Sequence, residues 1–313
     1  MGASRLQARG HPAGGEVVVL SATADDDALV GAINRRTGAG LTVHGRAEFG
    51  KLGGAIFVEW PDGRPAVATI FHGGIADAER VAHVLNHLRA RGFPVPRHEL
   101  VVDLGDRVAF VQERLHKGPS RKLTTKRIDG IVEINERFAG ALTDLSDVPP
   151  VAQWFQQDGV DPRHILDLVP QHDRRARDVL GEIIDLTTTA SGAELLTGND
   201  LVHVDLSAAN VLFDEDNSAT AVVDWNLGVY RGNRLVALIQ TRFDRECVQP
   251  HNADATQVAA ARHLDEILAA RIPPDTLRTY WAYWLLHQLP KAFRSGSPSV
   301  IDWQLAMAES RLR

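Results

Sequence analysis

The stretch that decides the fold is His203-Val204-Asp205-Leu206-Ser207-Ala208-Ala209-Asn210, which runs directly into the apolar segment Val211-Leu212-Phe213. A second apolar segment follows and ends in Asp224-Trp225. Asn210 is five residues after Asp205, and Asp224 is 14 residues after Asn210. Two carboxylates and one amide are thus placed around a short hairpin. An ordinary hairpin with an Asp and an Asn in its turns is the alternative interpretation.

These residue types are the ones that phosphoryl transfer requires. The reaction needs a carboxylate that orients and deprotonates the attacking hydroxyl, and oxygen ligands for the Mg²⁺ on the nucleotide phosphates. A kinase catalytic loop supplies an Asp, then an Asn, then a metal-binding Asp in the same order. We predict that Asp205 is the catalytic carboxylate and that Asn210 and Asp224 bind Mg²⁺. His203 is predicted to brace the catalytic loop by hydrogen bonding.

The same residues resemble the aminoglycoside phosphotransferase family of kinase-like small-molecule phosphotransferases. Members typically have His-Gly-Asp-Leu-x-x-x-Asn-Val-Leu, followed by Val-Ile-Asp-Trp. This chain differs at Val204, where Gly is usual, and at Ala208-Ala209, where Pro-Gly is common. Beyond Trp225, Asn226 replaces a frequent acidic residue, and Ala237 replaces the second Asp of the usual Gly-Asp-Pro-x-x-Asp-Leu-Ala.

The resemblance implies a protein-kinase-like, two-lobed α+β fold. The N-terminal lobe would hold a five-stranded antiparallel sheet plus a helix, and the C-terminal lobe would be mainly helical. We expect a flexible leader over residues 1–15, a nucleotide-binding lobe over 16–115 and a catalytic, substrate-binding helical lobe over 116–313.

Composition narrows the class of protein. The 313 residues are 44% hydrophobic and 24% charged, which is ordinary for a globular protein. A net charge of −6 gives no indication of a nucleic-acid partner, and no apolar run approaches the length of a membrane-spanning helix. The single cysteine, Cys247, excludes a disulfide within the chain and is typical of a reducing compartment, so we expect a cytoplasmic protein.

The order of predicted helices and strands in the N-terminal part is the one that the resemblance implies. A helix is expected to start at Asp25-Asp26-Asp27 and end at Gly38, because acidic residues favour a helix N-terminus. A second helix is predicted over 75–91 from apolar spacing. Five strands are predicted at Leu41–Phe49, Ala55–Trp60, Ala66–Phe71, Glu99–Leu104 and Arg107–Leu115.

Two segments are candidates for nucleotide binding. The turn Gly50-Lys51-Leu52-Gly53-Gly54 could bring backbone N–H groups close to phosphate oxygens. A Gly-rich hairpin without a ligand is the commoner case. The resemblance places the adenine-binding hinge at the end of the fifth strand, on Gln112, Glu113 and Leu115, where an ordinary strand end is the alternative.

One expected residue is missing. Kinases carry a Lys on the third strand that pairs with the phosphates and with a Glu of the next helix. The matching position here is Ala68 or Thr69, and Glu79 is on the helix. We favour Lys51 as the substitute; Arg46 or His72 could also serve, or the site is weakened.

Other chemistries fit poorly, because the chain has no His-Glu-x-x-His, no paired Cys and no Gly-x-Ser-x-Gly. We predict an enzyme that uses ATP or GTP and Mg²⁺ to phosphorylate a hydroxyl of a small molecule. By resemblance the acceptor is an antibiotic such as an aminoglycoside or a related natural product. The alternatives are a metabolite kinase of the same fold (choline, homoserine or sugar acceptor) and a nucleotide-binding pseudokinase.

Overall fold

An antiparallel sheet forms the N-terminal part of the molecule. The structure is a computed structural model, and it describes residues 19–47, 54–115, 118–119, 123–156, 166–169, 173–248 and 254–313. The sheet has the strand order β1-β2-β3-β4-β6-β5, with every neighbouring pair antiparallel. Its strands are β1 (Val19–Leu20), β2 (Thr42–Ala47), β3 (Ile56–Glu59), β4 (Pro65–Phe71), β5 (His98–Asp103) and β6 (Val108–Glu113).

The five strands expected from the sequence are β2 to β6. Strands β2, β3 and β6 are shorter than their predicted ranges, β4 begins one residue earlier than predicted, and β5 is shifted by one residue toward the N-terminus. The structure adds β1, a two-residue strand that pairs with β2 and was too short to be recognised from its pattern. The leader predicted over 1–15 lies outside the described residues. The overall architecture, a sheet with helices followed by a mainly helical part, confirms the predicted fold class.

Two helices pack on this sheet. Helix α1 (Ala24–Thr37) begins one residue before the predicted Asp25, because Thr23 accepts a hydrogen bond from the backbone N–H of Asp26 and the Asp26 side chain accepts one from the backbone N–H of Thr23. It ends at Gly38, whose φ of 71° closes the last turn. Helix α2 (Ile75–Ala90) buries the apolar stripe that predicted it. The two helices belong to separate buried clusters, α1 with part of the sheet and α2 with the large core of the C-terminal part.

Two small sheets connect the N-terminal sheet to the helices that follow. Strand β7 (Gly118–Pro119) pairs with β9 (Val211–Phe213), which pairs in turn with β10 (Ala219–Val222). Strand β8 (Asp200–Val202) pairs with β11 (Tyr230–Gly232). The backbone N–H of Val222 also donates to the carbonyl of Pro94, at 2.8 Å. The hairpin that carries the proposed site is therefore fixed to both parts of the chain.

The C-terminal part is mainly helical, as predicted. Its first helix, Thr125–Glu136, is followed by turns. The longest helix that the structure describes, Pro274–Ser295, continues through Pro290 to Ser295. No described helix is long and apolar enough to cross a membrane. The helices are α3 (Thr125–Glu136), α4 (Val151–Gln156), α5 (Arg174–Thr188), α6 (Ala190–Leu195), α7 (Leu235–Val248), α8 (Ala255–Arg271), α9 (Pro274–Ser295) and α10 (Pro298–Leu312).

Candidate active site

The loop between β8 and β9, residues 203–210, carries the candidate catalytic residues. Two of its apolar side chains, Val204 and Leu206, are buried and tie the loop to the core. The Thr241 hydroxyl of α7 donates to the carbonyl of Leu206 at 2.6 Å. The buried side chains on one side of the loop and the hydrogen bond from helix α7 on the other fix the conformation of the loop. Val204 occupies the position where the resemblance expects Gly, and its side chain fits into the core.

His203 is buried and hydrogen-bonded at both ring nitrogens. Its Nδ1 accepts from the backbone N–H of Asp205 at 3.1 Å, so Nε2 carries the proton and donates to the carbonyl of Val223 at 3.0 Å. The ring meets Trp225 edge-on, with the ring centroids 4.3 Å apart. Burial lowers the pKa of His203 to about 4, which keeps the imidazole neutral near pH 7. These contacts connect the start of the loop to the strand that precedes Asp224.

Asp205 and Asn210 contact each other across the loop. The Asn210 amide nitrogen donates to Asp205 Oδ2 at 2.9 Å and to the Asp205 backbone carbonyl at 2.8 Å. Both described hydrogen bonds of the Asn210 side chain use its nitrogen, so its Oδ1 is the atom that could bind a cation. The backbone carbonyl of Asn210 accepts from the N–H of Val223 at 2.8 Å, which brings the two strands of the hairpin together.

Asp224 lies opposite this loop in a left-handed backbone conformation, with φ at 63°. A non-glycine residue in this region is uncommon and is found more often at functional sites than elsewhere. The residue is exposed to solvent, yet protein atoms surround its carboxylate closely enough that burial raises the pKa of Asp224. The negative charge of Asp205 raises it further, which places the two carboxylates within electrostatic reach of each other.

A chain of hydrogen bonds joins Asp224 to the N-terminal sheet. The Asn226 amide donates to Asp224 Oδ1 at 2.7 Å, and the Thr69 hydroxyl donates to Asn226 Oδ1 at 3.1 Å. The backbone N–H of His72 donates to the Asn226 carbonyl at 3.2 Å. Thr69, at the position where a kinase would have its Lys, therefore contacts the segment that carries Asp224.

The two candidate metal ligands fit a magnesium ion. Mg²⁺ prefers oxygen ligands and is usually held by one or two carboxylates together with substrate phosphates and water. Asn210 Oδ1 and the Asp224 carboxylate are oxygen donors of this kind, and burial together with the nearby negative charge of Asp205 raises the pKa of Asp224. Within the described ranges no group of three or more His, Cys, Asp or Glu could hold a metal ion alone. This site would depend on the phosphates to complete it.

The remaining residues predicted for nucleotide binding are scattered. Lys51 and Gly53 lie outside the described residues. Thr69 and Gln112 are buried in β4 and β6, and their backbones pair with neighbouring strands. Glu113 forms an ion pair with Arg89 at 2.7 Å, and Leu115 is partly buried at the end of the same segment. Arg114, between them, covers the Phe57 ring at 3.9 Å.

Glu79 is exposed on α2, and no hydrogen bond or ion pair within the described part of the chain connects it to Thr69. The alternative substitutes for the missing Lys differ in position. Arg46 forms an ion pair with Asp26, at 3.6 Å. His72 follows β4 directly, and its positive charge, when protonated, would lower the pKa of Asp224.

One contact in the site had not been expected from the sequence. Gln240, a buried residue of α7, donates from Nε2 to Asp205 Oδ1 at 3.2 Å. The pattern that could have revealed it is the polar pair Gln240-Thr241, which directly follows the apolar run 235–239. Both members of that pair contact the catalytic loop.

Comparisons with known proteins place this geometry in a family. The profile of the phosphotransferase enzyme family matches residues 53–231, which is more than half of the chain. No curated protein sequence matches the chain significantly.

Solved structures share the fold at low sequence identity. A thermostable variant of aminoglycoside phosphotransferase APH(4)-Ia, in a ternary complex with AMP-PNP and hygromycin B, is 18% identical with a TM-score of 0.63, over 90% of this chain and 96% of that chain. An aminoglycoside phosphotransferase from Alicyclobacillus acidocaldarius is 18% identical with a TM-score of 0.54, over 86% and 89%. Aminoglycoside phosphotransferase APH(3'')-Id from Streptomyces rimosus, in complex with ADP and streptomycin, is 14% identical with a TM-score of 0.53, over 85% and 99%.

The family profile covers the candidate catalytic loop, the hairpin and Asp224, and the shared fold extends over most of the chain. The chain therefore belongs to the phosphotransferase enzyme family.

Proposed function

We propose that this protein transfers the γ-phosphoryl group of ATP or GTP, with Mg²⁺, to a hydroxyl of a small molecule. The observation that carries the proposal is the convergence of three side chains in one cleft. Asp205 is hydrogen-bonded to Asn210, and its charge raises the pKa of Asp224 on the far side of the hairpin. A cation with bound phosphates would fit between these groups and relieve their repulsion.

The role of Asp205 would be to accept a hydrogen bond from the acceptor hydroxyl and to hold its oxygen in line with the γ-phosphorus. In a loose transition state the proton leaves late, so that orientation contributes more than basicity. His203 would maintain the loop that presents this carboxylate. Its buried, neutral ring supports a structural role in the site rather than proton transfer.

Asn210 and Asp224 would hold the metal ion through one neutral and one charged oxygen. The metal ion, when bound, supplies positive charge that neutralises the phosphate oxygens. The Asn226 amide would keep the Asp224 carboxylate oriented toward the phosphates. The Thr69 hydroxyl would hold Asn226 in place through its hydrogen bond and so connect it to the sheet. A kinase Lys at this place would instead contact the phosphates directly.

The acceptor that we favour is an antibiotic such as an aminoglycoside or a related natural product. Two of the fold relatives were solved with hygromycin B and with streptomycin. Residues 116–313 have 27 carboxylates against 21 Lys and Arg, an excess that suits a cationic acceptor. Asn226 in place of an acidic residue reduces that negative charge near the cleft. Dependence on ATP or GTP would place the reaction in the cytoplasm.

The test is release of ADP by the purified protein with Mg²⁺ and ATP, with and without each member of a panel of acceptors. The panel includes hygromycin B, streptomycin, choline, homoserine and a set of simple sugars. Release stimulated by an antibiotic, with the phosphorylated product identified by mass spectrometry, would support the proposal.

Stimulation by choline, homoserine or a sugar alone would instead assign a metabolite kinase. Nucleotide binding without release on any acceptor would favour a pseudokinase. GTP in place of ATP, at the same concentration, identifies the donor.

A further inference from the structure

The residue of interest is Gln240, which lies on α7 and contacts the candidate catalytic carboxylate. Its side chain is only 8% exposed. Nε2 donates to Asp205 Oδ1 at 3.2 Å, while Asn210 donates to the other oxygen, Oδ2, at 2.9 Å. An ionised carboxylate has about four lone-pair sites, so two amide donors do not exhaust its capacity. Donors on both oxygens fix the plane of the carboxylate.

The burial of Gln240 has no packing explanation. The four residues before it on α7, Val236 to Ile239, are fully buried and apolar, and so is Phe243. The Gln240 Oε1 atom is also buried, and it has no hydrogen-bond partner among the described residues. Burying an unpartnered polar atom is unfavourable, and an apolar side chain of the same volume would avoid that cost. The benefit of the amide must therefore lie in its contact with Asp205.

The orientation of the amide follows from its partner. If the group were rotated by 180°, Oε1 would face a carboxylate oxygen, and two acceptors would repel each other. Only the orientation with the N–H₂ group toward Asp205 gives a hydrogen bond.

The next residue on the helix strengthens this arrangement. Thr241 donates to the backbone carbonyl of Leu206, the residue after Asp205. Consecutive residues of α7 therefore hold the backbone of the loop and its carboxylate. Buried donors at the two positions make the helix a rigid support for the reacting group.

We propose that Gln240 is a positioning residue that orients the Asp205 carboxylate for phosphoryl transfer. This inference rests on the proposed function, because it assigns a role to the same carboxylate. It adds a residue from outside the catalytic loop and 35 positions away in the chain.

The experiment compares two variants of Gln240 with one matched control. Gln240→Met keeps the volume and removes the donor, whereas Gln240→Glu keeps the shape and replaces the donor with a second acceptor. Gln304→Met is the control, since Gln304 is a buried glutamine of α10 whose Oε1 is likewise unpartnered among the described residues. The assay measures kcat and the KM for ATP with Mg²⁺ and hygromycin B, streptomycin, choline and homoserine as probes, and without any acceptor.

We expect kcat to fall by about 10- to 100-fold in both Gln240 variants, with the KM for ATP changed less than about twofold, because misplacement of a reacting group by a fraction of an ångström has effects of this order. Gln304→Met should keep the parent kcat. A parent kcat in Gln240→Met or Gln240→Glu, or an equal fall in Gln304→Met, would overturn the proposal.

A second measurement keeps the two proposals distinguishable. Urea unfolding of Gln240→Met, Asp205→Ala and the double variant gives a thermodynamic cycle. A loss of stability in the double variant that differs from the sum of the single losses would support direct contact between the two side chains. Additive losses would overturn the role of Gln240. If the parent turns over none of the acceptors and does not hydrolyse ATP, the proposed function fails. The thermodynamic cycle would still show whether the Gln240 and Asp205 side chains interact.

Discussion

At the scale of single residues, neutral amide side chains donate the hydrogen bonds that orient the carboxylates of this site. Asn210 and Asn226 each donate to one of the two cleft carboxylates, and neither adds charge of its own. Under the proposed function, the carboxylates of Asp205 and Asp224 would therefore remain available for the substrate hydroxyl and the cation. The same amides fix the direction of each carboxylate, which is the property that in-line transfer requires.

Replacement of the candidate catalytic carboxylate should abolish turnover but leave nucleotide binding. Asp205→Ala removes the group that orients the acceptor hydroxyl, so we expect kcat to fall by roughly three orders of magnitude or more. The affinity for Mg-ADP, measured by calorimetry, should change less than about threefold. Asp216→Ala is the control, because Asp216 is an exposed residue in the hairpin turn. Phosphorylation at the parent rate by Asp205→Ala would contradict the assignment.

A buried histidine away from the cleft gives a pH dependence of stability. Burial lowers the pKa of His98 to about 4, whereas an unfolded chain has a histidine pKa of about 6.5. Between these values the unfolded state binds the proton and the folded state does not. The neutral His98 ring therefore makes its full contribution to the free energy of unfolding above pH 6.5. This contribution decreases as the pH falls toward 4, and the loss is roughly 3 kcal/mol at most.

We expect His98→Leu to reduce this slope in urea unfolding measured from pH 4 to 7. His83→Leu changes an exposed histidine of α2 and should leave the slope as in the parent. An identical slope for His98→Leu and the parent would show that His98 does not titrate in this way.

At the scale of elements, strand β4 contacts the segment after β10, at the strand position where a kinase carries its Lys. Thr69 is 157 residues before Asn226 in the chain, and their hydrogen bond joins the sheet to the support of Asp224. The backbone of His72 adds a second bond to the same residue. The position of β4 therefore affects the orientation of the proposed metal ligand.

Loss of the Thr69 hydroxyl should weaken nucleotide use more than it weakens the fold. Thr69→Val is nearly isosteric and leaves Asn226 without this donor, so we expect the KM for Mg-ATP to rise about three- to tenfold, in line with about 1 kcal/mol for one hydrogen bond. Thr187→Val is the matched control, since Thr187 is a buried threonine whose side-chain hydroxyl donates to the Ile183 carbonyl of its own helix α5. Equal KM values for Thr69→Val and the control would contradict a functional role for this contact.

The elements also show what the sequence could and could not predict. Helices and strands could be predicted from apolar periodicity and from acidic residues at helix starts. The hairpin between Asn210 and Asp224 could be predicted from two apolar segments joined by a short turn. The hydrogen bonds of Thr69 and Gln240 could not be predicted from the sequence, because each residue is distant in the chain from its partner. A buried polar side chain on an apolar helix was visible in the sequence, but its partner was not.

At the scale of the whole molecule, contacts cross the boundary that we propose after residue 115. Strand β7, just beyond that boundary, pairs with β9, and Pro94 accepts a hydrogen bond from Val222 of β10. Both edges of the catalytic hairpin are thus attached to segments that lead to the N-terminal sheet. Motion of the sheet would be transmitted to the residues that flank Asn210.

Binding of nucleotide between these parts should stabilise the entire fold. Mg-ADP at 100 times its Kd contributes about 2.7 kcal/mol to the free energy of unfolding by mass action. For a chain of this size we expect the Tm to rise by roughly 4 °C in a thermal scan. Asp224→Ala removes a metal ligand and should lose most of that rise, whereas Asp216→Ala should keep it. An equal rise in Asp224→Ala would exclude Asp224 from metal binding.

The left-handed backbone at Asp224 has a consequence for engineering of this protein. Asparagine adopts this conformation at least as readily as aspartate, and glycine does so without steric cost. A library selected only for resistance to heat would therefore gain from replacing Asp224, although each such variant would lose the charged oxygen that we propose as a ligand of the metal ion. Thermostable variants of this chain should accordingly be selected under conditions that also demand turnover.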